Sequence, residues 1–324
     1  MSTSTTTPTT PTAVYDNRTA FADELIQLAR TDERIVAVCN DSVGSSNLVA
    51  FRDEFPDRLI NVGIAEQNMV GVGAGLASAG FIPFVCAAGP FLTGRSLEQV
   101  KADVAYSQHP VILCGMSPGM AYGELGPTHH SVEDFSWLRA LPGLDIVVPA
   151  DRLQTRQAVQ QAVASPRPMY IRVGRHKVPD VTPADSVLER GRFQTLRNGT
   201  DVTLIGTGTL VSRTLEAADI LAADGLSVRV LNAAYIAPLD VAAIVAAAEQ
   251  TGAIITAEEG NVAGGLGAAV ASVVAQLGRD ARVPVRILGL TEFAPTGSTD
   301  FLLDHFGLTA AHLAAAAHDA RTNG

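Results

Sequence analysis

Asn61-Val62-Gly63-Ile64-Ala65-Glu66-Gln67-Asn68-Met69 runs straight on into a string of small residues, Val70 to Gly80. Residues 59–63 read as a short apolar strand, and residues 66–79 as a helix of Gly, Ala and Val. The stretch is therefore a strand-to-helix turn with one carboxylate, Glu66, at the junction. Small residues let another backbone or a flat ligand approach closely. Two environments fit Glu66 on this segment alone. It is either a poorly hydrated carboxylate, whose proton affinity rises, or a solvated helix-start glutamate favoured by the helix dipole.

The same alternation continues outward from that turn. Residues 34–41 read as a buried strand ending in the polar pair Asn40-Asp41, and further apolar strands are expected at 82–87, 111–115, 145–148 and 169–173. Helices are expected at 18–30, 97–107 and 154–164. Continuous apolar strands alternating with helices indicate a parallel sheet covered on both faces. Functional groups collect at the carboxyl ends of such strands. Residues 175–200 are charged, contain proline and show no clear period. A second series follows, with strands at 202–205, 228–231, 254–256 and 285–288. The expected fold class is α/β, with two three-layer α/β/α domains. The expected division is a disordered tail over 1–17, a first domain over 18–178, a linker over 179–198 and a second domain over 199–324.

With 324 residues, 47% of them hydrophobic and 17% charged, the chain can bury two cores of ordinary size. A net charge of −10 and the lack of a basic run argue against a phosphate-contacting nucleic-acid face. Cys39, Cys86 and Cys114 each sit in or beside a strand-like run, and an odd number argues against a disulfide framework. A cytoplasmic protein is expected, with no membrane partner: residues 1–12 lack the pattern of a signal peptide, and no apolar run is long enough to span a bilayer.

A second cluster lies downstream: Gly123-Glu124-Leu125-Gly126-Pro127-Thr128-His129-His130-Ser131-Val132-Glu133-Asp134. Two adjacent imidazoles on a loop shaped by Gly and Pro suit proton handling near neutral pH. Metal binding is the weaker reading, because helical metal pairs sit four apart and the cysteines are scattered. A loop whose histidines only cap the next helix also fits.

Taken in order, these segments resemble the transketolase family of thiamine-diphosphate enzymes. Gly63-Ile64-Ala65-Glu66-Gln67 is similar to the family's cofactor-activating glutamate motif, and Gly123 to His130 to its substrate-channel histidine motif. Leu141 to Asp151 resembles the segment that follows them, and the likeness covers nearly everything after residue 18. The resemblance implies a pyrimidine-binding domain followed by a transketolase C-terminal domain. It makes Glu66 and His129 catalytic, and assigns Asp41, Glu66 and Phe91 to the cofactor. It assigns Ser46, Leu125, His129, His130 and Arg175 to the substrate, with no metal ligand in this chain. From the residues alone, Phe91 fits a core position equally well, and Arg175 a solvated linker.

Four departures matter. The family's second phenylalanine is Ala88 here, and its channel aspartate is Leu125. A phosphate-contacting histidine has no counterpart around Ser117-Pro118. The Gly-Asp-Gly segment that holds a divalent ion in full-length relatives is absent before Glu66. The resemblance therefore implies the second subunit of a split transketolase that moves a two-carbon ketol unit between sugar phosphates. Its partner is a diphosphate-binding subunit carrying Mg2+ or Ca2+, in an α2β2 heterotetramer. The alternatives are the beta subunit of a 2-oxo acid dehydrogenase, a deoxyxylulose-phosphate-synthase-like enzyme, or a non-catalytic assembly subunit.

Overall fold

The computed structural model describes residues 13–322. Among the described residues, twelve strands form two sheets. The first seven in chain order are β1 (Ile35–Cys39), β2 (Leu59–Asn61), β3 (Ile82–Ala88), β4 (Ile112–Met116), β5 (Asp145–Val147), β6 (Met169–Val173) and β7 (Gln194–Arg197). The others are β8 (Val202–Gly206), β9 (Val228–Asn232), β10 (Tyr235–Ala237), β11 (Ile254–Asn261) and β12 (Val285–Leu290). The larger sheet has the order β10-β5-β6-β4-β3-β1-β2, and the smaller β12-β11-β8-β9-β7. Each sheet is parallel except for one edge strand: β10 runs antiparallel to β5, and β7 antiparallel to β9.

The strands read as unbroken apolar runs because both faces of each sheet are covered. In β1, Ile35, Ala37 and Cys39 pack with Phe21 and Leu25 of the helix Asn17–Ala29. Val38 points the other way, onto Met69 and Val70 of the helix Glu66–Ser78. Each fully buried Val, Leu, Ile, Phe or Met among them contributes about 1.5–3 kcal/mol before entropy is counted. The Val38 cluster continues into the second half of the chain through Ile205, Leu231, Leu266 and Val270, so the two sheets share one core. All three cysteines are buried and free.

The larger sheet has a switch point. From β1 the chain goes to β2 on one side and β3 on the other. In open α/β sheets the crevice outside the carboxyl ends of such a strand pair is where ligands bind. Asn40 and Asp41 follow β1, Phe91 follows β3, and Arg175 follows β6.

Four expectations need correction. Residues 1–12 of the expected tail lie outside the described residues, but 13–17 belong to the fold. Tyr15 and Val178 exchange backbone hydrogen bonds of 2.8 and 3.1 Å, and Asp16 caps the first helix. The linker is fastened, because Asp151 Oδ2 accepts from the Val181 and Thr182 amides at 2.9 and 2.8 Å. Its last residues form β7. The second half also lends β10 to the first sheet, covering the open edge of β5. The helix expected over 97–107 begins instead with a wide π-type turn at Phe91–Arg95 and resumes that winding at Val100–Tyr106. No helix among the described residues is long and apolar enough to cross a membrane.

Candidate active site

Glu66 opens its helix and is 1% exposed. Its Oε1 accepts a 2.7 Å hydrogen bond from Asn40 Nδ2. Arg95 Nη1 lies 2.8 Å from Oε2, an ion-pair contact off the line that a hydrogen bond requires, so Oε2 has no directed donor. The carboxylate is thus shielded rather than solvated. The expected rise in its proton affinity does not follow, however. Burial is the largest single influence and pushes the carboxyl up, but Arg95 and Asn40 together bring it below the usual glutamate value.

Asn40 was not legible as a site residue, although its place at the carboxyl end of β1 was the available signal. Behind it, Ser42 Oγ donates to Asn40 Oδ1 at 2.5 Å and lies 3.3 Å from Ser46 Oγ. Ser46 is fully buried in this relay and presents no surface to a cleft. Asp41 is exposed at a positive φ of 71°, a conformation rare outside glycine. It is held there by Asn61, whose Oδ1 accepts from the Asp41 amide at 2.9 Å and whose Nδ2 donates to Asp41 Oδ1 at 3.0 Å. This exchange fastens the ends of β1 and β2 together.

The histidine loop follows β4 and is closed at its base by Gly119 and Ser131, whose amides and carbonyls pair at 2.8 and 2.9 Å. Its tip leans on the second domain, where the Gly297 amide donates to the Gly123 carbonyl at 3.2 Å. A Cβ on Gly123 would stand 2.2 Å from the Gly297 carbonyl oxygen, so only glycine permits this approach. Buried Arg172 on β6 ties the loop to both sheets. It donates to Asp134 Oδ2 at 2.8 Å, to the Ser131 carbonyl at 2.9 Å and to the Glu259 carbonyl at 2.8 Å.

The two histidines have different roles. His130 is buried, with Nε2 3.3 Å from the Gly123 carbonyl and Nδ1 unpaired. Burial and the neighbouring His129 outweigh that carbonyl and push its pKa down, so it is a neutral strut of the loop. His129 is half-buried, with Nδ1 3.0 Å from Thr128 Oγ1. Its ring meets Phe91 edge-on at 5.3 Å and Tyr122 at 6.0 Å. Arg175 Cζ then lies over the Tyr122 ring, 5.2 Å from its centre. A continuous row therefore runs from Glu66 through Arg95, Phe91, His129 and Tyr122 to Arg175. Its far end opens into a cleft of about 460 Å³ lined by Tyr122, Glu124, Leu125, Arg175, Ser298 and Thr299. Among the described residues no group of three or more acidic, histidine or cysteine side chains is arranged to hold a metal.

The fold is a pair of α/β sheets, and the row begins at the switch point of the larger one. Residues 13–181 match the transketolase pyrimidine-binding domain, and residues 191–313 the transketolase C-terminal domain. The chain is 46% identical over 293 residues to an apulose-4-phosphate transketolase subunit of Phocaeicola vulgatus, covering 90% of this chain and 93% of that one. It is 39% identical over 303 residues to the 6-deoxy-6-sulfo-D-fructose transketolase subunit SqwH of a Clostridium species, covering 93% of each. A solved structure described as a split gene transketolase, inactive beta4 tetramer, superimposes with a TM-score of 0.86 at 36% identity, covering 96% of this chain and 99% of that one. The chain belongs to the transketolase family.

Proposed function

We propose that this chain is the pyrimidine-binding subunit of a two-chain, thiamine-diphosphate-dependent transketolase that transfers a two-carbon ketol unit between sugar phosphates. The observation that carries this reading is the row from the buried Glu66 carboxylate to the Arg175 guanidinium at the cleft. When bound, thiamine diphosphate supplies a carbon acid together with the aminopyrimidine that acts as its base. Glu66 Oε2 is buried without a directed hydrogen bond, as a carboxylate meant for a protonated ring nitrogen should be. Asn40 fixes the other oxygen, which orients the carboxylate. Phe91, half-buried beside it, offers a flat apolar face.

His129 Nδ1 faces Thr128, and its Nε2 has no hydrogen bond among the described residues. That nitrogen is the one available to a substrate carbonyl or hydroxyl, where it exchanges a proton with a developing alkoxide. Arg175 is exposed, has no acidic partner among the described residues, and has its Cζ over the Tyr122 ring, 5.2 Å from the centroid. A planar guanidinium suits bidentate contact with a terminal phosphate. Asp41 borders the cofactor side through its exposed carboxylate. Ser46 and His130, both buried, act on the substrate only by shaping the relay and the loop.

The diphosphate and its Mg2+ or Ca2+ are assigned to a partner subunit, because the relatives this chain matches over 93% of their own length are themselves described as transketolase subunits. An α2β2 assembly places each cofactor between unlike chains. The relative described as an inactive beta4 tetramer supports a chain of this type that assembles without turning over. The cytoplasm is the setting in which three unpaired cysteines stay reduced. The test is reconstitution. This chain, titrated with thiamine diphosphate and Mg2+, should show no turnover alone and full turnover with the diphosphate-binding subunit. Ketol transfer by the chain alone would overturn the two-chain reading.

Leu125 bears on the donor. It is 55% exposed and lines the cleft beside Arg175. An aspartate there would accept a hydrogen bond from a donor hydroxyl, whereas leucine offers none, at a cost of about 1–3 kcal/mol once the assembled site excludes water from that hydroxyl. The preferred donor is then a ketose phosphate that is deoxy, epimeric or branched at that position. Leu125→Asp should raise kcat/KM for xylulose 5-phosphate by about 5- to 150-fold relative to apulose 4-phosphate. Comparison of the two donors in the reconstituted complex checks this. A wild-type preference for xylulose 5-phosphate with no gain in the variant removes Leu125 from specificity.

A further inference from the structure

Arg95 holds two groups at once. Its guanidinium Nη1 is 2.8 Å from Glu66 Oε2, and its Cζ lies 4.5 Å from the centre of the Phe91 ring. These are the carboxylate oxygen and the aromatic face assigned above to the cofactor's aminopyrimidine. A guanidinium and a protonated aminopyrimidine share the features that matter at such a site. Both are flat, cationic and rich in N–H donors, and both stack on an aromatic ring while pairing with a carboxylate. The arginine side chain is 46% exposed and the carboxylate it covers 1%, so one half-exposed side chain separates Glu66 from solvent. Arg95 has no other ion pair or side-chain hydrogen bond among the described residues to hold it in place.

We infer that Arg95 is a stand-in for the aminopyrimidine in the unassembled subunit, and that it leaves Glu66 and Phe91 when cofactor and partner are loaded. The inference rests on the assignment of Glu66 and Phe91 to the pyrimidine ring. Its physical logic is that a buried carboxylate needs a compensating cation at every stage. Before assembly the chain supplies its own, and the cofactor exchanges like for like. The exchange keeps the carboxylate ionised and aimed while the site is empty, and makes loading competitive with an internal group. Consistently, Arg95 and Asn40 hold the Glu66 carboxyl low despite its burial. With Arg95 removed, the carboxyl loses the cation beside Oε2, so its proton affinity should rise relative to the wild type.

Three measurements test this. In the isolated chain, carbon-13 NMR of the Glu66 carboxyl should show a depressed pKa in the wild type and a higher one in Arg95→Ala. In reconstituted complexes, thiamine diphosphate should associate about tenfold faster with Arg95→Ala than with wild type, equivalent to about 1.4 kcal/mol. Arg95→Lys, which keeps the charge but loses the plane, should fall between them. A crystal structure of the loaded complex should show the guanidinium off both Glu66 and Phe91. An unchanged association rate in Arg95→Ala, or Arg95 still on Glu66 in the loaded complex, overturns the inference. A loaded structure whose pyrimidine ring lies away from Glu66 and Phe91 overturns the underlying site assignment instead, so the two failures are told apart.

Discussion

Glu66→Gln should leave the subunit folded and able to assemble, yet cut turnover of the complex by about 10²- to 10⁴-fold. Glutamine keeps the shape, and its carbonyl oxygen can still accept from Asn40 Nδ2, which now bonds Oε1 at 2.7 Å. The negative charge at Oε2 is lost. In a site where the side chain is 1% exposed, removing one partner of a charge pair costs about 3–5 kcal/mol. If that loss falls on the activation step, it converts to the stated range of rates. The direct measurement is exchange of the thiazolium C2 proton with deuterated water in the reconstituted complex. Exchange as fast as in the wild type would show that Glu66 is not the activating group. The wild-type carboxylate is held low by Arg95 and Asn40 against burial, so it is ionised well below neutral pH in the free subunit. Loss of this charge, rather than a shifted pH optimum, is therefore the expected signature of the variant.

His129→Ala should lower kcat/KM by about 10²- to 10⁴-fold, the usual contribution of a positioned acid-base group. Cofactor affinity should change much less, because the histidine meets Phe91 only by its edge, at 5.3 Å. His130→Ala should behave differently. His130 is buried, neutral and bonded to the loop backbone at Gly123, so its loss should act through loop stability and reduce binding and turnover together. The measurement is a pair of pH series for kcat/KM, with cofactor Kd determined alongside. Near-wild-type efficiency of His129→Ala throughout would reduce His129 to a packing role between Phe91 and Tyr122.

Much of this protein was settled by local sequence. Continuous apolar strands can be satisfied only by cover on both faces, so the alternation of such runs with helices fixed a parallel α/β architecture. The single carboxylate before a helix of small residues marked Glu66, and the paired imidazoles between Gly123 and Asp134 marked the loop. Short-range features of this kind depend on period and on the shape of a turn, both of which neighbouring residues determine.

Tertiary structure decided what depends on residues far apart in the chain. Glu66 is low rather than high in proton affinity because Asn40 and Arg95, 26 residues before and 29 after it by sequence number, converge on its two oxygens. Ser46 points into a buried relay and not a cleft because Ser42 and Asn40 lie behind it. His129 and His130 are adjacent in sequence, yet one ring lies in an aromatic row and the other under the loop. That division follows from Gly123 resting against Gly297 in the other half of the chain. The edge strand Tyr235–Ala237 crosses to the first sheet because the open side of β5 offers it unpaired backbone groups. Burial and charge pairing are sums over all neighbours in space. A sequence names the members of such a sum, and only the folded chain sets their distances.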